Sequence, residues 1–249
     1  MRYLIEFFAE LELLAPADPE STQRAIECVP VGVESTVIDA GCGTGRQTLQ
    51  LLETTPSVVT AIDLEEQLLK PLISKARERG YSRRLKAVAG DMLALPCEHC
   101  TVDLIYAEGS VYTVGVKNAL TAWKPYLKDG GYICFSDAAY TAESPPPQVK
   151  EFWESEYPRI GNAEQLRESA GSLGYQVIDA FWMPQQSWDD YYGPVADRIA
   201  DLSASWSKNS AAAAVLQGLQ KEVDLHREHG DTYGYYFLVL QNREGSDDD

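Results

Sequence analysis

A glycine-rich loop between a strand pattern and a helix pattern constrains this chain most. An apolar run ends in Asp39, and Gly41, Gly43 and Gly45 follow at alternate positions. Glycine is needed where the backbone takes a positive φ or approaches a ligand closely, and the N-terminus of the next helix offers free N–H groups to an anionic ligand. The stretch from Val37 to Thr48 therefore predicts a strand, a ligand-binding loop and a helix start; a glycine-rich turn without a ligand is the alternative.

The spacing of these glycines separates the possible ligands. A dinucleotide fingerprint, G-x-G-x-x-G/A, would need Gly or Ala where this chain has Arg46, and a Walker phosphate loop would need a Gly-Lys-Ser/Thr ending that is absent. What remains, an acidic residue followed by G-x-G-x-G, resembles motif I of the class I S-adenosylmethionine-dependent methyltransferases.

Composition excludes several classes of function. The net charge of the 249 residues is −17, which disfavours nucleic acid and anionic membranes as partners. There is no run of about eighteen apolar residues, and the N-terminal stretch carries acidic residues unlike a signal peptide. Five scattered cysteines suit the cytoplasm. Cys97, His99 and Cys100 resemble half of a zinc site, but no second pair exists, so we predict no metal.

Strand and helix patterns alternate from residue 35 onward. Further apolar strands are predicted at Val58–Ile62, Leu85–Ala89, Val102–Tyr106 and Tyr132–Phe135. Such alternation predicts an α/β fold with a mostly parallel sheet and helices on both faces. Later strands are predicted at Tyr175–Phe181 and Tyr233–Leu240, and the family resemblance implies a Rossmann-like seven-stranded sheet in the order 3-2-1-4-5-7-6.

We predict one domain over residues 1–241. Residues 2–14 and 20–28 have helical apolar stripes, so residues 1–30 are assigned to N-terminal helices that could fold over the ligand. The segments that follow are a cofactor-binding core (31–182), a helical cap inserted between the last two strands (183–230), a final strand (231–241) and a disordered acidic tail (242–249).

Carboxylates follow the strands at the edge where such sheets bind ligands. In the family, the residue matching Asp63 binds both ribose hydroxyls of the cofactor, although Asp63 could instead cap a helix. Gly90-Asp91-Met92 matches the segment that holds the adenine, although Gly-Asp is also a common turn. The resemblance implies these cofactor-binding residues: Asp39, Gly41, Cys42, Gly43, Thr44, Gly45, Gln47, Thr48, Asp63, Leu64, Gly90, Asp91, Met92, Glu108 and Gly109.

The segment from Ala107 to Gly115 resembles a Glu-Gly-Ala-Ile-Tyr-Asn-Ile-Gly segment of a small-molecule subgroup of this family. Glu108 is the candidate for contacting the acceptor or the amino group of the cofactor, with ordering of the loop as the alternative. Tyr112 could position the acceptor or could be a core residue. The chain departs from the subgroup at residues 14–18, so the resemblance carries no cofactor contact to that segment.

The last third of the chain is rich in aromatic residues that could close a lid and form a cage for an amine through cation–π contacts, or could simply pack the cap on the core. The candidates for substrate binding are Trp153, Tyr157, Trp188, Tyr192, Tyr233 and Tyr236.

The sequence therefore predicts a cytoplasmic enzyme, a monomer or homodimer, that transfers a methyl group from S-adenosylmethionine to N or O of a small molecule, leaving S-adenosylhomocysteine. The alternatives are an NAD-dependent oxidoreductase and a non-catalytic S-adenosylmethionine-binding protein.

Overall fold

A single sheet forms the centre of the computed structural model, which describes residues 2–243. The strands are β1 (Thr36–Ala40), β2 (Val58–Asp63), β3 (Leu85–Ala89), β4 (Val102–Glu108), β5 (Leu127–Tyr140), β6 (Gly161–Asn162), β7 (Tyr175–Trp182) and β8 (Tyr233–Asn242). Helices separate the first five strands along the chain except between β3 and β4, and the last two strands are joined by a helical insertion.

The order of the strands is β3-β2-β1-β4-β5-β8-β7, and the two-residue β6 pairs with the end of β5. Strands β1 to β5 pair in parallel, whereas β8 runs antiparallel between β5 and β7. With β6 set aside, this is the predicted order 3-2-1-4-5-7-6, so the predicted fold class is confirmed. Strand β5 is much longer than the predicted Tyr132–Phe135, because it pairs with β8 from Tyr132 through Tyr140.

Nine α-helices surround the sheet within residues 2–243. One of them, α7 (Ala163–Ser172), begins with a capping box: Asn162 accepts a hydrogen bond from the backbone of Gln165, whose side chain accepts from the backbone of Asn162. The helices are α1 (Arg2–Phe8), α2 (Pro19–Glu27), α3 (Arg46–Thr54), α4 (Glu66–Glu78), α5 (Val116–Trp123), α6 (Pro147–Glu156), α7 (Ala163–Ser172), α8 (Gln186–Trp206) and α9 (Ser210–His229).

Two boundaries differ from the sequence prediction. The helix predicted over residues 2–14 ends at Phe8, and the chain then runs without regular structure to α2, which begins at Pro19. Helix α6 was not predicted, because residues 144–147 are a loop signal. Pro147 lies at the first turn of α6, where the missing N–H of proline costs nothing.

Both faces of the sheet are covered by apolar helix faces. Leu51 and Leu52 of α3 are fully buried on one face, and Leu120 and Trp123 of α5 are fully buried on the other. Each such side chain stabilises the fold by about 1.5–3 kcal/mol through burial. These helices hold the carboxyl ends of β1, β2 and β4 in place, and the candidate site lies at those ends.

The cap and the N-terminal helix form a layer over the carboxyl edge of the sheet. Residues 183–230, predicted to form the cap, contain α8 and α9. Helix α1 packs on this pair, since Tyr3 and Phe7 contact the ring of Trp206 edge-on and Asn209 donates a hydrogen bond to the Tyr3 hydroxyl. No helix between residues 2 and 243 has the length and apolar character to cross a membrane. Asn242, predicted to begin the disordered tail, is instead the buried last residue of β8, because it continues the pairing with β7. The rest of that prediction lies outside the described residues from 244 onward.

Candidate functional site

The glycine loop after β1 is held in a conformation that only glycine adopts easily. Gly41, Gly43 and Gly45 have φ values of +76°, +52° and +84°. A Cβ atom on Gly41 would lie 2.5 Å from Cβ of Ser110, and one on Gly43 would lie 2.5 Å from a methyl group of Leu14. The three glycines therefore let the loop turn under its neighbours and end at α3.

Asp63, at the end of β2, fixes this loop. Its carboxylate accepts hydrogen bonds from the backbone N–H of Gly43 at 2.8 Å and of Glu65 at 2.9 Å. The N-cap position of α4 is Glu65, so Asp63 does not occupy the helix-capping position considered as its alternative role. Each carboxylate oxygen has lone pairs beyond these two bonds, and Asp63 lines the cavity described below.

Asp39 lies buried under the loop and accepts a hydrogen bond from the hydroxyl of Thr48. Burial, opposed by this hydrogen bond and assisted by the charge of Glu108, raises the pKa of Asp39 to about 7. Asp39 and Thr48 therefore tie the end of β1 to the first turn of α3.

Glu108, at the end of β4, receives three side-chain hydrogen bonds. Thr22 of α2 donates at 2.9 Å, Gln47 of α3 donates at 3.1 Å, and the hydroxyl of Tyr106 also donates. Burial raises the pKa of Glu108, and these three donors oppose that rise. Glu108 thus links α2, α3 and β4, and it still lines the cavity.

A cavity of about 450 Å³ lies over these strand ends, within the size range of small-molecule sites. Among the predicted cofactor-binding residues, Gly45, Thr48 and Gly90 are not part of its wall. The predicted residues that line it are Asp39, Gly41, Cys42, Gly43, Thr44, Gln47, Asp63, Leu64, Asp91, Met92, Glu108 and Gly109. Arg46 also lines it and was not predicted.

The N-terminal segment covers this cavity, although the family resemblance left it without a role. Residues 12–15 line the wall, and the Thr44 hydroxyl donates to the carbonyl of Glu12 at 3.2 Å. Leu14 lies against Gly43, and Ala15 lies against Gly109. A Cβ atom added to Gly109 would be 2.6 Å from the Cβ atom of Ala15. The absence of a side chain at these two glycines lets the segment close over the loop.

A second cavity of about 660 Å³ adjoins the first beneath the cap. The two share Leu14, Ala15, Leu68 and Tyr112 in their walls. Tyr112 is 41% exposed, so it is not a core tyrosine; its ring meets that of Tyr157 edge-on. Tyr112 therefore stands at the junction of the two cavities, as a residue that positions an acceptor would.

Three of the six predicted aromatic residues line the second cavity: Trp153, Tyr157 and Trp188. The structure places the other three in packing contacts. Tyr192 donates to Glu222 at 2.8 Å, Tyr233 is fully buried between the two tryptophans, and Tyr236 packs on Trp182.

Three further residues in the wall of the second cavity were missed from the sequence: Tyr191, Glu222 and Tyr235. Tyr191 lies three residues after Trp188 on α8, a spacing that places both on one helix face. Tyr235 precedes Tyr236 on β8, and successive strand residues point to opposite faces. Helical spacing and strand alternation are thus the signals that could have found two of them.

A buried acid supports one of the cavity tyrosines. Tyr157 donates its hydroxyl to Oδ2 of Asp137 at 2.7 Å, and Oδ1 of Asp137 has no hydrogen-bond partner among the described residues. Burial raises the pKa of Asp137 to about 7. No group of three or more His, Cys, Asp or Glu residues between positions 2 and 243 is arranged to hold a metal ion.

Comparisons with known proteins agree with this geometry. Residues 37–131 match the family model of a methyltransferase domain. The chain is 26% identical over 145 residues to the O-methyltransferase cnsE of Penicillium expansum, and the aligned region covers 57% of this chain and 52% of that protein. It is 25% identical over 129 residues to a malonyl-[acyl-carrier protein] O-methyltransferase of Herminiimonas arsenicoxydans, and this alignment covers 51% of this chain and 46% of that protein. The chain thus spans about half the length of these curated relatives.

The fold is also similar to that of solved structures, over 98% of the chain. A S-adenosylmethionine-dependent methyltransferase of Geobacter sulfurreducens, solved with S-adenosylhomocysteine, superposes with a TM-score of 0.85 at 18% identity and 98% coverage of both chains. One from Thiobacillus denitrificans gives 0.84 at 19% identity, covering 98% of this chain and 99% of the other. The domain match and these folds confirm the predicted resemblance to class I methyltransferases.

Proposed function

We propose that this chain, with its class I methyltransferase fold, is an S-adenosylmethionine-dependent methyltransferase that transfers a methyl group to a nitrogen or oxygen atom of a small molecule. One observation carries the proposal: the cavity over the glycine loop and the aromatic cavity under the cap share a wall at Tyr112 and Leu14. The first is the site for the methyl donor, the second for the acceptor, and S-adenosylhomocysteine remains as product.

The residues around the first cavity fit this cofactor. Asp63 would accept from the two ribose hydroxyls, since its carboxylate has free lone pairs and faces the cavity. Asp91 and Met92 would hold the adenine. Gly41 and Gly43 bring bare backbone to the wall at positions where a Cβ atom would clash. Glu108 would bind the amino group of the methionine moiety or contact the acceptor, because a carboxylate suits an ammonium group.

The bound cofactor supplies an activated methyl group, so the work of the protein is to position the acceptor and exclude water. Tyr112 orients the acceptor where the cavities meet. Residues 12–15 line the cavity over the glycine loop, and α1, α8 and α9 contribute to the wall of the acceptor cavity, which limits the access of water to both. A general base is required only if the acceptor must lose a proton.

The proposal also covers the location, the oligomeric state and the partners of the protein. We infer a cytoplasmic protein, monomer or homodimer, that acts on a small molecule rather than on nucleic acid or a membrane. Five free cysteines and a net charge of −17 support this, since reduced thiols suit the cytoplasm and a strongly negative protein repels phosphate groups.

Calorimetry with S-adenosylmethionine, S-adenosylhomocysteine and NAD tests the central claim. We expect both sulfur compounds to bind at micromolar concentration and NAD not to bind. Binding of NAD in place of the sulfur compounds would support the dehydrogenase alternative. Binding of S-adenosylmethionine without methylation of any amine, phenol or thiol in a screen with labelled cofactor would support the non-catalytic alternative.

The substitution Asp63→Ala tests the ribose role. It removes an ionised acceptor, so affinity for S-adenosylhomocysteine should fall by about 1–3 kcal/mol, or roughly 5- to 150-fold in Kd. Glu66→Ala is the matched control, because Glu66 is an exposed acid in the first turn of α4 outside the cavity wall. Equal affinity of the two variants for S-adenosylhomocysteine would refute the assignment.

A further inference from the structure

The acceptor cavity contains a carboxylate set among aromatic rings. Glu222 of α9 lines this cavity, and the Tyr192 hydroxyl, at 2.8 Å from Oε1, is its one hydrogen-bond donor among residues 2–243. Burial raises the pKa of Glu222, and the nearby charge of Glu156 adds to the rise. No salt bridge between described residues involves Glu222, so no cationic side chain of the described residues is paired with it directly.

The rings around this carboxylate favour a cation. Trp188 and Tyr235 have their centroids 5.0 Å apart at the cavity wall, and Trp153 meets Trp188 edge-on at 6.2 Å. The face of an aromatic ring carries negative potential, and a cation over such a face gains about 0.5–2 kcal/mol, most where water is excluded. Several converging rings and a carboxylate therefore attract the same kind of ligand group.

The influence of Glu222 extends to the rings themselves. The pKa values of Tyr191 and Tyr192 are raised first by burial and next by the charge of Glu222. Glu156 also lines the cavity, and Lys221 is the cationic side chain in the described wall. The wall therefore has one more negative group than positive, in a protein of net charge −17. A buried carboxylate is costly unless a positive group pairs with it.

We propose that the methyl acceptor is an organic amine whose ammonium group is held between Glu222 and the aromatic rings of this cavity. This inference rests on the proposed methyltransferase function and narrows its substrate class. The ammonium group first gives one proton to water. The nitrogen lone pair then forms the N–C bond as the C–S bond breaks, and the electron pair of that bond stays on sulfur, which becomes a neutral thioether. The protonated methylamine retains its positive charge and its attraction to Glu222.

A pair of ligands that differ only in charge tests this assignment. Choline and its carbon isostere 3,3-dimethylbutan-1-ol have the same shape, and the quaternary nitrogen of choline cannot accept a methyl group. Calorimetric titration of the full chain with each, in the presence of S-adenosylhomocysteine, should show choline binding at least about tenfold more tightly, the equivalent of about 1.4 kcal/mol. Glu222→Gln should bring the two affinities close together.

Glu228→Gln is the control variant, since Glu228 lies on the same helix, is exposed and does not line the cavity. It should keep the preference for choline. The inference is overturned if choline does not bind at millimolar concentration, if it binds no better than its isostere, or if Glu222→Gln leaves the preference unchanged.

An activity measurement with 2-phenylethylamine and 2-phenylethanol, which differ in the acceptor atom, provides a second readout. Methylation of the amine, with KM raised at least tenfold by Glu222→Gln and kcat little changed, supports the inference. Methylation of the alcohol alone overturns the inference while leaving the proposed function intact. Failure of the protein to bind either sulfur compound is the separate result that would remove the proposed function.

Discussion

The replacement Asp137→Asn should change how stability depends on pH. Asp137 is buried in β5, bonded through one oxygen to Tyr157, and its pKa rises from 3.8 to about 7 on folding. The folded protein therefore holds this proton more tightly than the unfolded chain does. Between about pH 4 and pH 7 the carboxyl group is protonated only in the folded state, so its contribution to stability is present below that window and is lost as pH rises through it.

The size of the effect follows from the shift in pKa. A difference of about three pH units, at about 1.4 kcal/mol per unit, corresponds to a loss of up to about 4 kcal/mol between pH 4 and pH 8. Asparagine has similar shape and can still accept the hydrogen bond from Tyr157, but it does not titrate. The free energy of unfolding of the wild type, minus that of the variant, should therefore fall by that amount across this range.

Urea denaturation followed by tryptophan fluorescence measures this difference at each pH. Asp190→Asn is the control, because Asp190 is an exposed acid on α8 that bonds to Gln186. Other buried acids, including Asp39, titrate equally in both proteins and cancel in the difference. A difference between wild type and Asp137→Asn that stays constant from pH 4 to pH 8 would show that Asp137 does not carry a raised pKa.

Two further predictions concern the glycine loop and its support. Gly45→Ala should lower the melting temperature in differential scanning calorimetry, because the φ of Gly45 is +84° and the new Cβ would lie 2.4–2.7 Å from side-chain atoms of Leu72. Gly193→Ala, in an open position on α8, should instead raise the melting temperature. A loss of stability in both variants would contradict the reasoning. Glu108→Ala should reduce the free energy of unfolding by about 2–5 kcal/mol in urea titrations, since it leaves three donors without an acceptor. Glu108→Gln should reduce it by less than half as much, because the amide oxygen of glutamine still accepts hydrogen bonds. Equal losses in the two variants would show that those bonds do not support the fold.

The centre of the fold could be predicted because its signals are local. Strands β1, β2 and β4 are short, mostly apolar runs with a carboxylate at or next to their last residue. The glycine spacing after β1 distinguishes this loop from dinucleotide and phosphate loops. Asp39, Asp63 and Glu108 meet at one edge because parallel strands bring their carboxyl ends together. That the three carboxylates line one cavity follows from this topology.

The acceptor cavity could be predicted only in part, because side-chain direction there depends on packing between distant elements. Tyr191 and Tyr192 are neighbours in sequence, yet one lines the cavity and the other bonds to Glu222. The helical pattern of residues 1–30 predicted that this segment could fold over the ligand, but it did not predict the contacts of residues 12–15. These residues have no regular structure, and their contact with Gly43 depends on where α1 packs against the cap.

The way the cap is inserted has a consequence for how such a protein can diversify. The insertion leaves the sheet after Trp182 and returns at Tyr233, and these two ends lie on adjacent antiparallel strands, where Trp182 pairs with Tyr236. A segment whose ends are already neighbours can change in length or sequence without altering the register of the strands. Substitutions in α8 and α9 can therefore change the shape and charge of the cavity under the cap, while the ends of β1, β2 and β4 stay the same.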